Sequence, residues 1–448
     1  MDHGGSGPRS RASELLLALA VAVFALASVV EYAKSTVGID YYLYWATGLA
    51  VEQREIRDVY DPGENERVGR QYFQAAQAEA RGRGAGPQGT RRLAAANVRK
   101  TLDNYSTPFL YALFGFPLSG DYDRDLAAMQ YASIALHVVG VLALARALRY
   151  SLVASALALA LTTMLAGPFI DDLNVANVNR LQVGGLGLAG LLLARRNWVW
   201  SDVWAGTLLG VAVLFKPNLA YAVVALLAAW IATAQARRIV QLALGGALAC
   251  GLAAAVSAAW FGSLKPWLAW PTRLEALMPT WASEVGNQSL ARVLHDRSGL
   301  DATSWLPIAF LGLACGAFLV ARIGRGSGAS AAPTRADGEL EIAALGLGAV
   351  ASVLATKLVW FHYYLLCVPL ALWLLRPRDG RLALRVAVLV AFVLAMTDIP
   401  RKVLPSAWFE PSLAIVIGAL AMFALGLVEA RRAAREALGL QQATHASG

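Results

Sequence analysis

The chain has 448 residues, 57% of them hydrophobic and only 15% charged, whereas about a quarter of the residues in soluble domains are charged. With a mean hydropathy of +0.51, that balance does not fit a water-soluble core. The net charge of +9 does not read as a nucleic-acid footprint either, because the arginines stand mostly in pairs at the ends of apolar runs.

Taken in chain order, the first apolar run covers residues 15–30 and follows Arg9 and Arg11. The Glu31-Tyr32-Ala33-Lys34 behind it is a poor small-residue cleavage site, so the run is predicted to be a retained first helix rather than a signal peptide. Further apolar runs cover 126–145, 152–169, 181–194, 203–215, 219–234, 239–261, 305–320, 340–355, 363–375, 382–396 and 413–428. Each is compatible with a membrane span, which predicts an all-α polytopic membrane protein of about twelve transmembrane helices. The stretch 108–118 is apolar but short, which suggests a re-entrant or interfacial element. Cys250, Cys315 and Cys367 fall within or at the edges of apolar runs and support neither a disulfide framework nor a zinc site.

Orientation follows from the short connections. With the N-terminus inside, Arg146 and Arg149, Arg195 and Arg196, Arg237 and Arg238, Arg322, Arg325 and Arg335, Arg376 to Arg385, and Arg431 to Arg435 all fall on the cytoplasmic face of a plasma (inner) membrane. Counting 108–118 as a span would break that alternation. The expected organisation is a cytoplasmic tail (1–14), one transmembrane domain (15–430) and a second cytoplasmic tail (431–448), with long extracytoplasmic loops at about 34–104 and 262–304. Within the first loop, 77–92 is rich in Ala, Gly, Arg and Gln and is expected to be mobile.

The polar chemistry gathers on the extracytoplasmic face. Asp40 stands beside Tyr41, Tyr42, Tyr44 and Trp45 directly after the first helix. An acid next to aromatics suits sugar chemistry, with the carboxylate as general base and the rings as stacking faces. The plain alternative is an interfacial aromatic belt with an incidental Asp. Asp171, Asp172, Asn174, Asn177, Asn179 and Gln182 form a dense hydrogen-bonding set between the third and fourth helices, either lining a wet cavity or capping a solvated turn. Two adjacent acids make a weak metal signature, and no metal site is expected.

Lys216, in Phe215-Lys216-Pro217, either snorkels to the interface or meets an anionic group. Lys357 and His362, with Trp360, Phe361, Tyr363 and Tyr364, could hold a lipid phosphate or form another interfacial belt. The second loop carries Trp267, Trp270, Trp281 and the run Asn287-Gln288-Ser289, side chains suited to sugar faces and hydroxyls. Asp40, Asp171, Lys216, Asn287, Lys357 and His362 come from separate regions yet fall on one face, which independent bland explanations would not require.

At these residues the chain resembles glycosyltransferase family 87, the polyprenyl-phosphate-mannose-dependent membrane mannosyltransferases of the type C glycosyltransferase fold. The similar pieces come in the family's order. They are Asp40 with Tyr44-Trp45 and Val59-Tyr60-Asp61-Pro62, Tyr105-Ser106-Thr107-Pro108 with Phe116-Pro117-Leu118, the turn Asn177 to Gln182, Gly210 to Pro217, Asn287-Gln288-Ser289, and Trp360-Phe361-His362-Tyr363. Two features depart from the family: its Gly-Gln turn is Ala176-Asn177 here, and the first loop is long.

The resemblance implies inverting transfer of a sugar, mannose above others, from a polyprenyl phosphate to a lipid-linked or periplasmic glycan. It implies no nucleotide sugar and no separate cofactor. Asp40 would be the general base, and Lys357 and His362, with Lys216, would hold the donor phosphate. Tyr44, Trp45, Asp171, Asp172, Asn174, Asn179, Gln182, Asn287, Gln288 and Trp360 would contact sugar or acceptor. The expected partners are that donor, that acceptor and membrane lipid. A transporter or flippase for a lipid-linked saccharide is the alternative, but its gating groups should occur on both faces, and the inner connections here are little more than Arg pairs. A structural membrane partner protein would leave Asp40, Lys357 and His362 freely replaceable.

Overall fold

The computed structural model describes residues 8–82, 87–195, 198–277, 281, 284–323, 338–378, 380–403 and 411–438. Among them there are helices and no strands. In chain order they are α1 (Pro8–Ala33), α2 (Ile39–Glu52), α3 (Pro62–Gly82), α4 (Pro87–Val98), α5 (Pro108–Gly115), α6 (Tyr122–Ala147) and α7 (Leu152–Thr163). Then come α8 (Gly167–Val175), α9 (Asn179–Ala194), α10 (Ser201–Phe215), α11 (Ala220–Ala232), α12 (Ala236–Phe261), α13 (Lys265–Leu277) and α14 (Leu290–Ser298). The last are α15 (Leu306–Ile323), α16 (Glu339–Ala355), α17 (Val368–Leu375), α18 (Leu382–Met396), α19 (Ile399–Val403) and α20 (Pro411–Ala437). Short 3-10 turns, Pro217–Leu219 and Phe361–Cys367, lead into α11 and α17.

Every apolar run expected to span is helical, but length separates them. Five helices are long and apolar enough to cross a membrane, namely α1, α6, α12, α15 and α20, and a sixth crossing results if α7 and α8 count as one. The run 152–169 is therefore not one straight helix: α7 and α8 meet at a bend of 56°. Pro168 in the first turn of α8 explains the break, since proline lacks an N–H and its ring clashes with a continuing turn behind it. Pro217 and Pro369 interrupt their segments in the same way.

The bundle is organised around α16, whose residues Leu340–Ala355 are all buried, consistent with a helix apolar on every side. Close helix approach is permitted by glycine. A methyl group on Gly187 of α9 would lie 2.1 Å from the carbonyl oxygen of Gly140 on α6, so the two backbones touch where side chains would hold them apart.

The first long loop is folded. Residues 77–82 and 87–92, expected to be mobile, lie in α3 and α4, leaving 83–86 outside the described residues. Alanine, arginine and glutamine are strong helix formers, and the hairpin buries Val68, Tyr72, Ala76, Ala95 and Ala96 against α2. Of the expected tails, residues 1–7 and 439–448 lie outside the described residues, while α1 begins at Pro8 and α20 continues to Ala437.

At the end of the bundle away from Asp40, several of the arginines are ion-paired. Arg238 pairs with Asp202 (2.8 Å) and with Glu341, Arg376 with Glu339 (3.0 Å), and Arg381 with Glu429. Arg196, Arg325 and Arg335 lie outside the described residues.

Candidate active site

Asp40 owes its position to a glycine. Gly38 adopts a left-handed conformation (φ +71°) and donates its N–H to the Asn174 carbonyl (2.8 Å), tying the start of α2 to α8. Asp40 then sits in the first turn of α2, where the helix dipole favours a carboxylate. Arg99, just past α4, ion-pairs with one carboxylate oxygen, and the Asn177 side-chain amide donates to the other. Burial alone would push Asp40 up; Arg99, His362, the Asn177 hydrogen bond and Lys216 together outweigh it and hold the carboxyl below its ordinary value.

Asp40 faces a cavity of about 300 Å³, bounded also by Ile39, Arg99, Asp171, Val175, Gly286, Gln288, Trp360, Phe361 and His362. Five segments distant in sequence meet there. Gly286 (φ +86°) is required at its position, because a Cβ would lie 2.9 Å from the Trp360 ring. His362 is oriented by Asp171, with Nδ1 and Oδ2 3.1 Å apart, while its Nε2 is buried without a protein partner. The side-chain oxygen of Gln288 is likewise buried and unpartnered. A carboxylate, a guanidinium, an imidazole and a primary amide thus surround one space with hydrogen-bonding capacity to spare. A larger cavity of about 780 Å³ lies elsewhere and contains none of these groups.

Lys216 stands behind this cavity, not on its wall. Its ammonium lies 3.9 Å from the centre of the Tyr363 ring and 3.5 Å from the Asn179 side-chain oxygen. Burial lowers the Lys216 pKa to about 8 against the opposing pull of Asp40 and Asp172.

Other expected residues serve the scaffold. Asp172 and Arg180 form a fully buried ion pair (2.7 Å), and Asn179 donates to the second Asp172 oxygen (2.8 Å). With both its oxygens so engaged, Asp172 turns away from Asp171, whose own carboxylate meets His362. The Asn287 amide is saturated: it donates to the Trp281 and Lys357 carbonyls (both 2.9 Å) and accepts from Ser289 and Val359 N–H groups (3.1 and 3.0 Å). It pins the second loop to the segment before Trp360.

Gln182 donates to the Ala212 carbonyl (3.1 Å). Asn174 contributes its backbone carbonyl to Gly38. Tyr44 stacks on Phe114 and Trp45 donates to Asp125 (3.1 Å), both buried in the layer beneath Asp40. The Lys357 side chain does not line the Asp40 cavity.

Arg99 is the functional candidate that sequence reasoning missed. It is one of many arginines in the first loop, and nothing local distinguishes it; only the fold of α3 and α4 brings it 59 residues back to Asp40.

The family model described as glycosyltransferase family 87 matches residues 106–356, just over half of the chain. Asp171, Asp172, Asn177, Lys216, Asn287 and Gln288 lie inside that segment, and Asp40, Arg99, Trp360 and His362 lie outside it. No curated protein and no solved structure matches the chain.

Proposed function

The chain belongs to glycosyltransferase family 87, and from that premise we propose that it moves mannose from a polyprenyl phosphate to a hydroxyl of a lipid-linked or periplasmic glycan, with inversion at the anomeric carbon. The observation that carries this reading is the shared cavity in which the Asp40 carboxylate, the Arg99 guanidinium and the His362 imidazole face one another. Asp40 takes the proton of the acceptor hydroxyl as that oxygen bonds to the anomeric carbon. The bond from that carbon to the phosphate oxygen breaks, and its electron pair leaves with the phosphate.

Arg99 and His362 stabilise the departing charge, and Lys216 adds to the field from behind. The phosphate competes with Asp40 for Arg99, so donor binding loosens the ion pair and leaves the carboxylate free to act as base. Trp360 offers a face for the sugar, and Gln288 a hydrogen-bond partner for a hydroxyl. The apolar character of the chain, with helices long enough to cross a membrane, suits a polyprenyl-linked donor. In this reading all twelve apolar segments are embedded, the shorter ones as broken or tilted elements, and the cavity opens on the extracytoplasmic face of the cell membrane.

The test is transfer of labelled mannose from polyprenyl-phosphate-mannose by proteoliposomes of the purified protein, with membrane lipid extract as acceptor. Labelled product with the wild type, none with Asp40→Asn, and an inverted anomeric signal by NMR are expected. No product from this or other polyprenyl-phosphate sugars, with a competent extract, would favour transport of a lipid-linked saccharide instead.

A further inference from the structure

The 780 Å³ cavity lies at the far end of α2 and shares no lining residue with the Asp40 cavity. Val51 on its wall is eleven residues beyond Asp40, about 16 Å along the helix axis. A donor phosphate is bonded to the reacting carbon, so a donor reacting at Asp40 cannot place its phosphate here. Arg54, Arg57 and Lys265 line this cavity, and none of the three side chains is paired with an acid among the described residues. Its one lining acid, Asp58, accepts from the N–H of Tyr60 (2.9 Å), and Glu64 accepts from the Arg57 and Asp58 N–H groups (2.6 and 3.2 Å), so each carboxylate caps the backbone of this turn. The three cations outnumber these acids, and the cavity keeps a positive balance.

Lys265 also lines a second, apolar cavity of about 590 Å³, between Leu264, Trp267 and Leu268 on one side and Cys250, Ala253 and Ala254 of α12 on the other. α12 is long and apolar enough to cross a membrane and exposes most of that surface. The cavity's wall on α12, from Cys250 to Ala254, covers about 6 Å of the helix axis, and Cys250 lies eleven residues, about 16 Å, before Phe261. Each cavity has an indole on its wall, Trp260 on the cationic one and Trp267 on the apolar one, and both indole nitrogens are buried without a partner among the described residues. A cationic chamber that shares Lys265 with an apolar groove on a helix long enough to cross a membrane matches the chemistry of an amphiphile with an anionic head.

We propose that these two cavities, which share Lys265, together bind a membrane lipid with an anionic phosphate headgroup, distinct from the sugar donor. The phosphate lies among Arg54, Arg57 and Lys265, the Trp260 and Trp267 rings flank the lipid, and an acyl chain lies in the groove on α12. The inference rests on this geometry and stands whether or not Asp40 carries out sugar transfer.

Native mass spectrometry of the full-length purified protein tests it, with dioleoyl phosphatidylglycerol, dioleoyl phosphatidylcholine and glycerol 3-phosphate as probes. Wild type is expected to retain phosphatidylglycerol at least tenfold more tightly than either other probe. Arg57→Gln/Lys265→Gln should lose that preference, while Asp40→Asn keeps it. Equal retention of the two lipids, unchanged preference in the double variant, or glycerol phosphate binding as tightly as the lipid would each overturn the proposal. A second measurement avoids substituting a cation. The Trp260 emission, read as wild type minus Trp260→Phe, should be quenched more by brominated phosphatidylglycerol than by brominated phosphatidylcholine, and equal quenching counts against the site.

Discussion

Arg99 reaches back from the end of α4 to pair with Asp40 in the first turn of α2, so the candidate base and its cationic partner come from opposite ends of the first long loop. An acid held below its ordinary pKa stays ionised over a wide range but is a weaker base than a free carboxylate. The pair therefore suits an enzyme whose substrate, not its resting state, releases the base.

This relationship predicts a pH signature. Arg99→Gln removes the foremost of the groups that lower the Asp40 pKa, so the pKa rises and the carboxylate protonates at higher pH. The acid limb of kcat/KM should move upward in pH. The donor KM should also rise about ten- to hundredfold, the equivalent of one charge-assisted hydrogen bond of ~1.5–3 kcal/mol. Rate measurements across pH on wild type and Arg99→Gln check this, and an acid limb that stays put would rule out the coupling.

Lys216 predicts the opposite limb. With a pKa near 8, it is charged below that pH and neutral above it, while a phosphodiester donor keeps its charge throughout. Donor kcat/KM should fall as pH rises through about 8, and Lys216→Gln should lower the plateau and abolish that limb. If the alkaline limb survives in Lys216→Gln, another group is titrating.

His362 and Lys357 are separable. His362 lines the cavity and Lys357 does not, so His362→Ala should raise the donor KM about tenfold or more. Lys357→Ala should leave donor dependence near that of wild type. Saturation curves for the two variants decide, and equal losses would mean that Lys357 turns into the site when donor binds.

The buried Asp172–Arg180 pair predicts a structural phenotype. Arg180→Met leaves Asp172 charged and unpaired where neither side chain is exposed, at a cost of about 3–5 kcal/mol. Thermal unfolding in detergent should show a markedly lower midpoint, with Asp172→Asn/Arg180→Met recovering much of the loss. A wild-type midpoint in the single variant would contradict the pairing.

Much was legible in the chain because lipid and helix geometry leave few options. Apolar runs fold as helices wherever they occur, since unpaired backbone groups are costly in hydrocarbon. Asp40, Asp171, Gln288, Trp360 and His362 stand out as polar or aromatic residues beside such runs, and all line one cavity. Local chemistry was a poorer guide to what each polar residue touches. Asn287 and Asp172 carry the same donors and acceptors whether they bind sugar or brace the backbone, and here every Asn287 contact is internal.

The paired arginines show the same limit: their spacing marks helix ends, but Arg238 and Arg376 also neutralise Glu341 and Glu339, which no sequence window brings together. By itself the sequence determined the helical class, the apolar segments and the residue types available for chemistry, because these depend on transfer energies and propensities that act residue by residue. Tertiary structure alone decided that Arg99 meets Asp40, that Lys357 stays outside the cavity and that Arg54, Arg57 and Lys265 share another. Electrostatic partnership depends on distance in space, and a loop of sixty residues leaves that distance open until the chain has folded.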